Sequence, residues 1–197
     1  MVTRTDIPLF PLSTVLFPGG PLSLRIFEPR YLEMVRDCAR NDACFGVCLI
    51  LEGSEVGAPA LPAAVGTLAR ITDFYSHPDG VLGITVQGGA RFRVLRSRVR
   101  DNGLVHGQVR CWPDEPATEV PPEFGLLSTI LERLIEQAGG PWREAPRERY
   151  EDAGWVSFRL AELLPLLAYE RQRLLELTDP IERLGVLRDA LPRFQKA

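Results

Sequence analysis

Between Pro113 and Pro122 the chain carries four prolines, interleaved with Asp114, Glu115 and Glu119. Each proline removes a backbone donor and fixes one dihedral, so neither a helix nor a sheet ladder crosses such a stretch. It therefore forces a division of the 197 residues into two textures. The segment before it reads as short strands and turns with one helix, and the segment after it as helices. The reading sets a β-rich subdomain at 1–117 and an α-helical subdomain at 118–197.

In the first texture, Ile7-Pro8-Leu9-Phe10-Pro11-Leu12 alternates apolar residues with prolines, which predicts an edge strand or extended arm. Leu22 to Ile26 alternates as a half-buried strand does. Pro29 suits the first position of a helix whose apolar face is Tyr31, Leu32, Val35, Cys38 and Ala39. Ala43 to Leu51 is apolar on both faces and reads as a central strand, and Glu52 to Ala64 as a loop. Val65–Tyr75 and Val81–Val86 read as strands joined by a turn at Ser76–Gly80. Gly88-Gly89 reads as a turn.

From Ala90 to Arg100 the alternation slips by one residue between Val94 and Leu95. A slip reverses every later side chain unless a bulge or bend absorbs it, so the pattern predicts two strands meeting at a corner, as in a barrel. Asn102-Gly103 turns the chain into a last strand from Leu104 to Trp112.

In the second texture, Phe124, Leu127, Ile130, Leu131, Leu134 and Ala138 form a helical stripe that Gly139-Gly140 stops. Asp152 is placed to cap a helix burying Trp155, Phe158 and Leu163. Asp179-Pro180-Ile181-Glu182 is a helix start with its cap, first-position proline and acidic third residue. Ile181, Leu184, Leu187 and Leu191 supply its buried stripe.

Composition narrows the chemistry. The one lysine is Lys196, and every other basic residue is arginine, which stays protonated in proteins. Schiff-base, Ser-Lys and phosphate-loop lysine chemistry is thereby set aside. No Walker phosphate loop or G-x-S-x-G elbow occurs. The histidines, His77 and His106, have no nucleophile and acid in a recognisable constellation with them. Cys38, Cys44, Cys48 and Cys111 lack zinc or redox spacing and read as reduced structural thiols; no metal or cofactor is expected. No signal peptide or membrane-length apolar run is visible, so a cytoplasmic location without membrane contact is expected. The net charge of -3 disfavours nucleic acid as the main partner. The alternative retained is RNA binding through the stripe Arg91, Arg93, Arg96, Arg98 and Arg100.

The motifs themselves resemble a known family. Ile7 to Leu12, Val15-Leu16-Phe17-Pro18-Gly19 and Leu24-Arg25-Ile26-Phe27-Glu28-Pro29-Arg30-Tyr31 are similar to the opening of the Lon protease N-terminal domain. Val65 to Ile71, Gly88 to Val94 and Leu174 to Leu184 resemble later segments of that domain. The resemblance implies an α+β fold, with a twisted PUA-like β pseudo-barrel bearing one helix followed by an α-helical bundle. It also implies a non-catalytic peptide- and protein-binding module of protein quality control, without Lon's ATPase and peptidase. Its partners would be unfolded or exposed peptide segments and a separate protease or chaperone. Turn-proximal apolar positions, together with the matched motifs, nominate Phe17, Pro18, Arg25, Phe27, Tyr31 and Tyr75 as peptide contacts.

Overall fold

A computed structural model describes residues 2–194. Lys196 therefore lies outside the described residues. By internal contact the chain forms two compact units, the first ending at Asp114 and the second beginning at Glu115.

The first unit is a six-stranded sheet with one helix. Its strands are β1 (Val2–Leu12), β2 (Pro21–Ile26), β3 (Phe45–Glu52), β4 (Leu61–Ser76), β5 (Leu82–Val99) and β6 (Val105–Cys111). The order is β2-β5-β4-β3-β1-β6, and β5 also pairs with β6. That extra pairing closes β1, β3, β4, β5 and β6 into a ring, while β2 hangs on the first half of β5. Closure removes most sheet edges from the ring and leaves free flanks on β2 and on the last residues of β1 among the described residues.

The prolines of β1 do not make it an edge strand. Its register runs antiparallel to β6 from Val2 to Leu9 and parallel to β3 from Leu9 to Leu12. The strand changes neighbours at Leu9, so Pro8 and Pro11 each have one flank without a register partner. A missing N–H is tolerated on such a flank.

The segment expected as a strand, a turn at Gly88-Gly89 and two further strands meeting at a corner is one long strand, β5. The register slip at Val94 falls where the sequence places it, as a bulge opposite Val109 and Gln108. It bends the strand without ending it. The two glycines lie inside the strand because the Phe17–Gly20 turn presses against Gly88. Gly19 donates to the Gly88 carbonyl at 2.7 Å, and the Gly88 N–H donates to Gly20 at 2.8 Å. Leu95 and Val99, expected on the apolar side, are exposed. The segment expected as a loop from Glu52 to Ala64 joins β4 from Leu61 onward.

Helix α1 (Pro29–Arg40) starts with Pro29 at its first position, after the extended Glu28. It buries Arg30, Tyr31, Met34, Val35 and Cys38, whereas Leu32 and Ala39 face outward. Tyr31 stacks on Phe10 with ring centroids 4.0 Å apart, and Phe10 meets Phe45. This cluster holds α1 against β1, β2 and β3. A second cluster, built on Leu9, Cys48, Phe92 and Val109, fills the other part of the unit.

The second unit holds α2 (Gly125–Ala138), α3 (Ala153–Leu163), α4 (Ala168–Glu176) and α5 (Pro180–Ala190). Asp152 caps α3 by accepting the Gly154 N–H at 3.0 Å, and Asp179 caps α5 by accepting the Ile181 N–H at 2.8 Å. Helix α3 is the core, packed by α2, α4 and α5. It is buried around nearly its whole circumference, with Trp155 and Leu163 half-buried. A one-stripe amphipathic pattern is absent there because the helix faces protein on all sides.

Two arginines are fully buried in this unit. Arg183 of α5 stacks over Phe158 at 3.9 Å and donates to both carboxylate oxygens of Glu115. Arg159 lies over Trp142 and pairs with Glu162 at 2.8 Å.

Candidate functional site

Beyond Leu9, β1 carries β3 on one flank and, among the described residues, no strand on the other. Strand β2 pairs with β5 alone among the described residues. Between these two bare flanks opens a groove of about 370 Å³. Phe10, Leu12 and Thr14 form one side, and Leu22, Ser23, Leu24 and Arg25 the other. Phe27, Glu28 and Tyr31 close one end where β2 turns into α1. Glu55 and Val56, from the β3–β4 loop, contribute further wall.

The β2–α1 corner is braced from below. Arg30, buried under the turn, pairs with Glu28 at 3.0 Å, donates to the Gly103 carbonyl at 3.2 Å and lies over the Tyr31 ring. Phe27 is 56% exposed and Val56 53%, a large apolar exposure beside a concave surface. Arg25 at the rim is paired with Asp79. Glu55 accepts from the Ser13 N–H at 2.6 Å and from its hydroxyl, but makes no ion pair among the described residues. With Arg25 and Glu28 each matched by an opposite charge, the groove's uncompensated charge is negative.

Of the six contacts nominated from sequence, Arg25, Phe27 and Tyr31 meet in this groove. Phe17 is buried at 1% exposure, its turn pinned by Gly88 and by the Thr67 hydroxyl donating to the Leu16 carbonyl at 2.6 Å. Pro18 is half-buried in the same turn. Tyr75 lies across Gly83 on the neighbouring strand and edge-on to His77. None of these three lines the groove. Phe10, Leu12, Leu22 and Leu24 do, and their sequence pattern marks them as strand residues, three of them inside the matched motifs, without singling them out as contacts. Nothing in a strand's own alternation marks which of its flanks lacks a neighbour.

The arginine stripe is only partly available. Arg91 is buried over the Trp112 ring at 4.7 Å. Arg93, Arg96, Arg98 and Arg100 are exposed, and the bulge at Leu95 sets Arg93, Arg96 and Arg98 opposite Arg110, Gln108 and His106 of β6, of which Arg110 is exposed and His106 buried. Arg98 and Arg100 both donate to Asp6, the former at 2.8 Å. Asp6 sits in the left-handed backbone region at a bulge of β1. The hydrogen bond from Arg98 holds its carboxyl below the usual range. His106 lies 3.2 Å from the same carboxylate, with its pKa lowered by burial and by Arg100.

Other titratable groups offer no converging constellation. Burial pushes the Cys48 thiol up to about 12 and the Cys38 thiol up to about 11, away from thiolate chemistry. Burial pushes the Glu162 carboxyl up to about 7 against the pull of Arg159 and Arg171. Among the described residues no three potential metal ligands cluster, and no helix is long and apolar enough to cross a membrane.

Comparison with known proteins agrees with this architecture. Residues 6–193 match the model of the ATP-dependent protease La (LON) substrate-binding domain. A Lon N-terminal domain protein from Xanthomonas campestris, known from its crystal structure, is 48% identical over 95% of this chain and 99% of its own, with a TM-score of 0.80. The N-terminal domain of a Mycobacterium avium complex Lon protease shares the fold at 18% identity, with a TM-score of 0.67. Lon protease 2 of Myxococcus xanthus is 26% identical over 98% of this chain, which spans 24% of that protein's length. A LON peptidase N-terminal domain and RING finger protein of Schizosaccharomyces pombe is 24% identical over 97% of the chain, which covers 46% of it.

Proposed function

The chain belongs to the LON substrate-binding domain family, and from that premise we propose that the groove beside β2 holds exposed apolar segments of other proteins. The α+β fold is that of the Lon N-terminal domain, and no ATPase or protease domain is found in the chain. The observation that carries the reading is where the motifs fall. Phe10 and Leu12 of the first motif and Arg25, Phe27 and Tyr31 of the third come from different elements and converge on one concave, mainly apolar surface.

On this reading the molecule acts by binding rather than by catalysis. It captures unfolded segments in cytoplasmic protein quality control and presents them to a separate protease or chaperone. The pseudo-barrel is read as PUA-like, with the arginine face in a secondary role. Arg91 is buried, and the single Asp6 carboxylate pairs with both Arg98 and Arg100 and offsets one of their two charges, which leaves a polyanion a reduced contact surface.

Phe27→Asp tests the groove directly. Phe27 is exposed, so the substitution is expected to leave the melting temperature nearly unchanged. Binding of a carboxymethylated, permanently unfolded protein, read by fluorescence anisotropy, is expected to weaken by about tenfold or more. Unchanged affinity in the folded variant would remove the groove as the binding site.

A further inference from the structure

We propose that the groove takes its ligand as an added β-strand on the free edge of β2, and that the preferred ligand is an extended apolar segment carrying arginine or lysine. This rests on the groove being the peptide site and specifies how the peptide is held and which peptides are preferred.

The backbone direction follows from β5. The Thr72 hydroxyl of β4 donates to the Thr85 carbonyl at 3.1 Å, so Thr85 turns its backbone toward β4. In an antiparallel pair, residues opposite each other either both face inward and exchange hydrogen bonds or both face outward. Thr85 is opposite Ser23, so Ser23 directs its N–H and C=O to the outer side of β2. Arg25, two residues on, does the same. At the other end the Gly88 N–H reaches Gly20, which puts the following residue, Pro21, in the outward phase with Ser23 and Arg25. Its missing N–H therefore leaves the β2–β5 ladder intact.

The shape of the groove agrees. A cavity over one face of a strand touches every second residue, because side chains alternate. This one touches Leu22, Ser23, Leu24 and Arg25 in succession, so it runs along the edge. Across it lies the stretch of β1 that lacks a partner on one flank. A strand inserted here would receive hydrogen bonds from Ser23 and Arg25 and lay its side chains among Phe10, Leu12, Phe27 and Tyr31. Main-chain pairing accepts many sequences, as a binder of unfolded protein requires.

The charge preference comes from Glu55. Arg25 and Glu28 are matched by Asp79 and Arg30, whereas among the described residues Glu55 meets only the N–H and hydroxyl of Ser13. A basic ligand side chain completes that pair in a site partly shielded from water.

The test uses a fluorescein-labelled peptide alternating leucine and lysine, titrated with the full chain. N-methylation of alternate peptide amides gives two isomers, one blocked on each edge. One isomer is expected to bind about tenfold more weakly and the other to bind nearly as the parent does. Replacing lysine by glutamate is expected to weaken binding by a similar factor, and Glu55→Gln to abolish most of that difference. Equal binding by both isomers and the parent would overturn strand addition while leaving the groove as a peptide site. Equal loss in both isomers would also overturn it, since methylation would then act on the free peptide. A charge preference that survives in Glu55→Gln would overturn the role of Glu55. No binding by the parent peptide would overturn the groove reading itself.

Discussion

Arg183→Met is expected to lower the unfolding free energy of the helical unit by about 3–5 kcal/mol, the usual cost of breaking a buried ion pair from one side. Arg183 is fully buried and its guanidinium is used on every edge. Its Nε donates to the Ser157 hydroxyl at 3.0 Å, one terminal nitrogen donates to Glu115 at 2.7 Å and to the Leu177 carbonyl at 2.8 Å, and the other donates to the second Glu115 oxygen. Glu115 comes from the proline-rich joint and lies against Gly154 in the first turn of α3. The pair therefore ties the joint to α3 and α5. Methionine fills similar volume but takes the Arg183 guanidinium away from the largely buried Glu115 carboxylate. The double variant Glu115→Leu with Arg183→Met is expected to recover most of the loss, because burying neither charge is nearly as favourable as burying both. Guanidinium denaturation followed by circular dichroism measures the cycle. A loss below about 1 kcal/mol for the single variant would place the pair among weakly coupled surface pairs.

Gly88→Val is expected to cost about 3 kcal/mol or more, whereas Gly89→Ala next to it is expected to cost less than about 1 kcal/mol. A side-chain carbon at Gly88 would overlap the Phe17 carbonyl oxygen, which is backbone and pinned. Both polar groups of Gly88 are bonded to the Gly19–Gly20 turn, so the strand cannot shift without breaking them. At Gly89 the nearest atoms lie 3.6 Å and 3.8 Å away, an ordinary contact distance. The turn leads directly into β2, so Gly88→Val is also expected to weaken peptide binding. Thermal melts of the two variants test the contrast, and equal melting temperatures would contradict the close approach.

These two sites show where sequence patterns stop being informative. The caps at Asp152 and Asp179, the helix start at Pro29 and the register slip at Val94 are local events, and each is written in a few adjacent residues. Ring closure is not. It depends on β1 meeting β6 and on β5 serving β2 and β6 with one flank, contacts between segments far apart in the chain. Alternation says which residues share a face and says nothing about which strand lies beside them. That is why Pro8 and Pro11 read as marks of an edge strand, and why Gly88-Gly89 read as a turn when the reason for glycine there is a neighbour's carbonyl. The groove was legible in part for the same reason. Phe27 and Tyr31 belong to a short motif, whereas Phe10, Leu12 and Leu24 become site residues only through the gap between β1 and β2. Phe17 belongs to a matched motif too, but its role is to anchor the turn that delivers β2.

The most direct test is a backbone amide chemical-shift map of the isotope-labelled chain titrated with the leucine-lysine peptide. Shifts confined to residues 10–14, 22–31 and 55–56 are predicted, with Ser23 and Arg25 amides among the largest. Shifts centred on the arginine face from Arg93 to Arg100, with the groove unperturbed, would contradict the account.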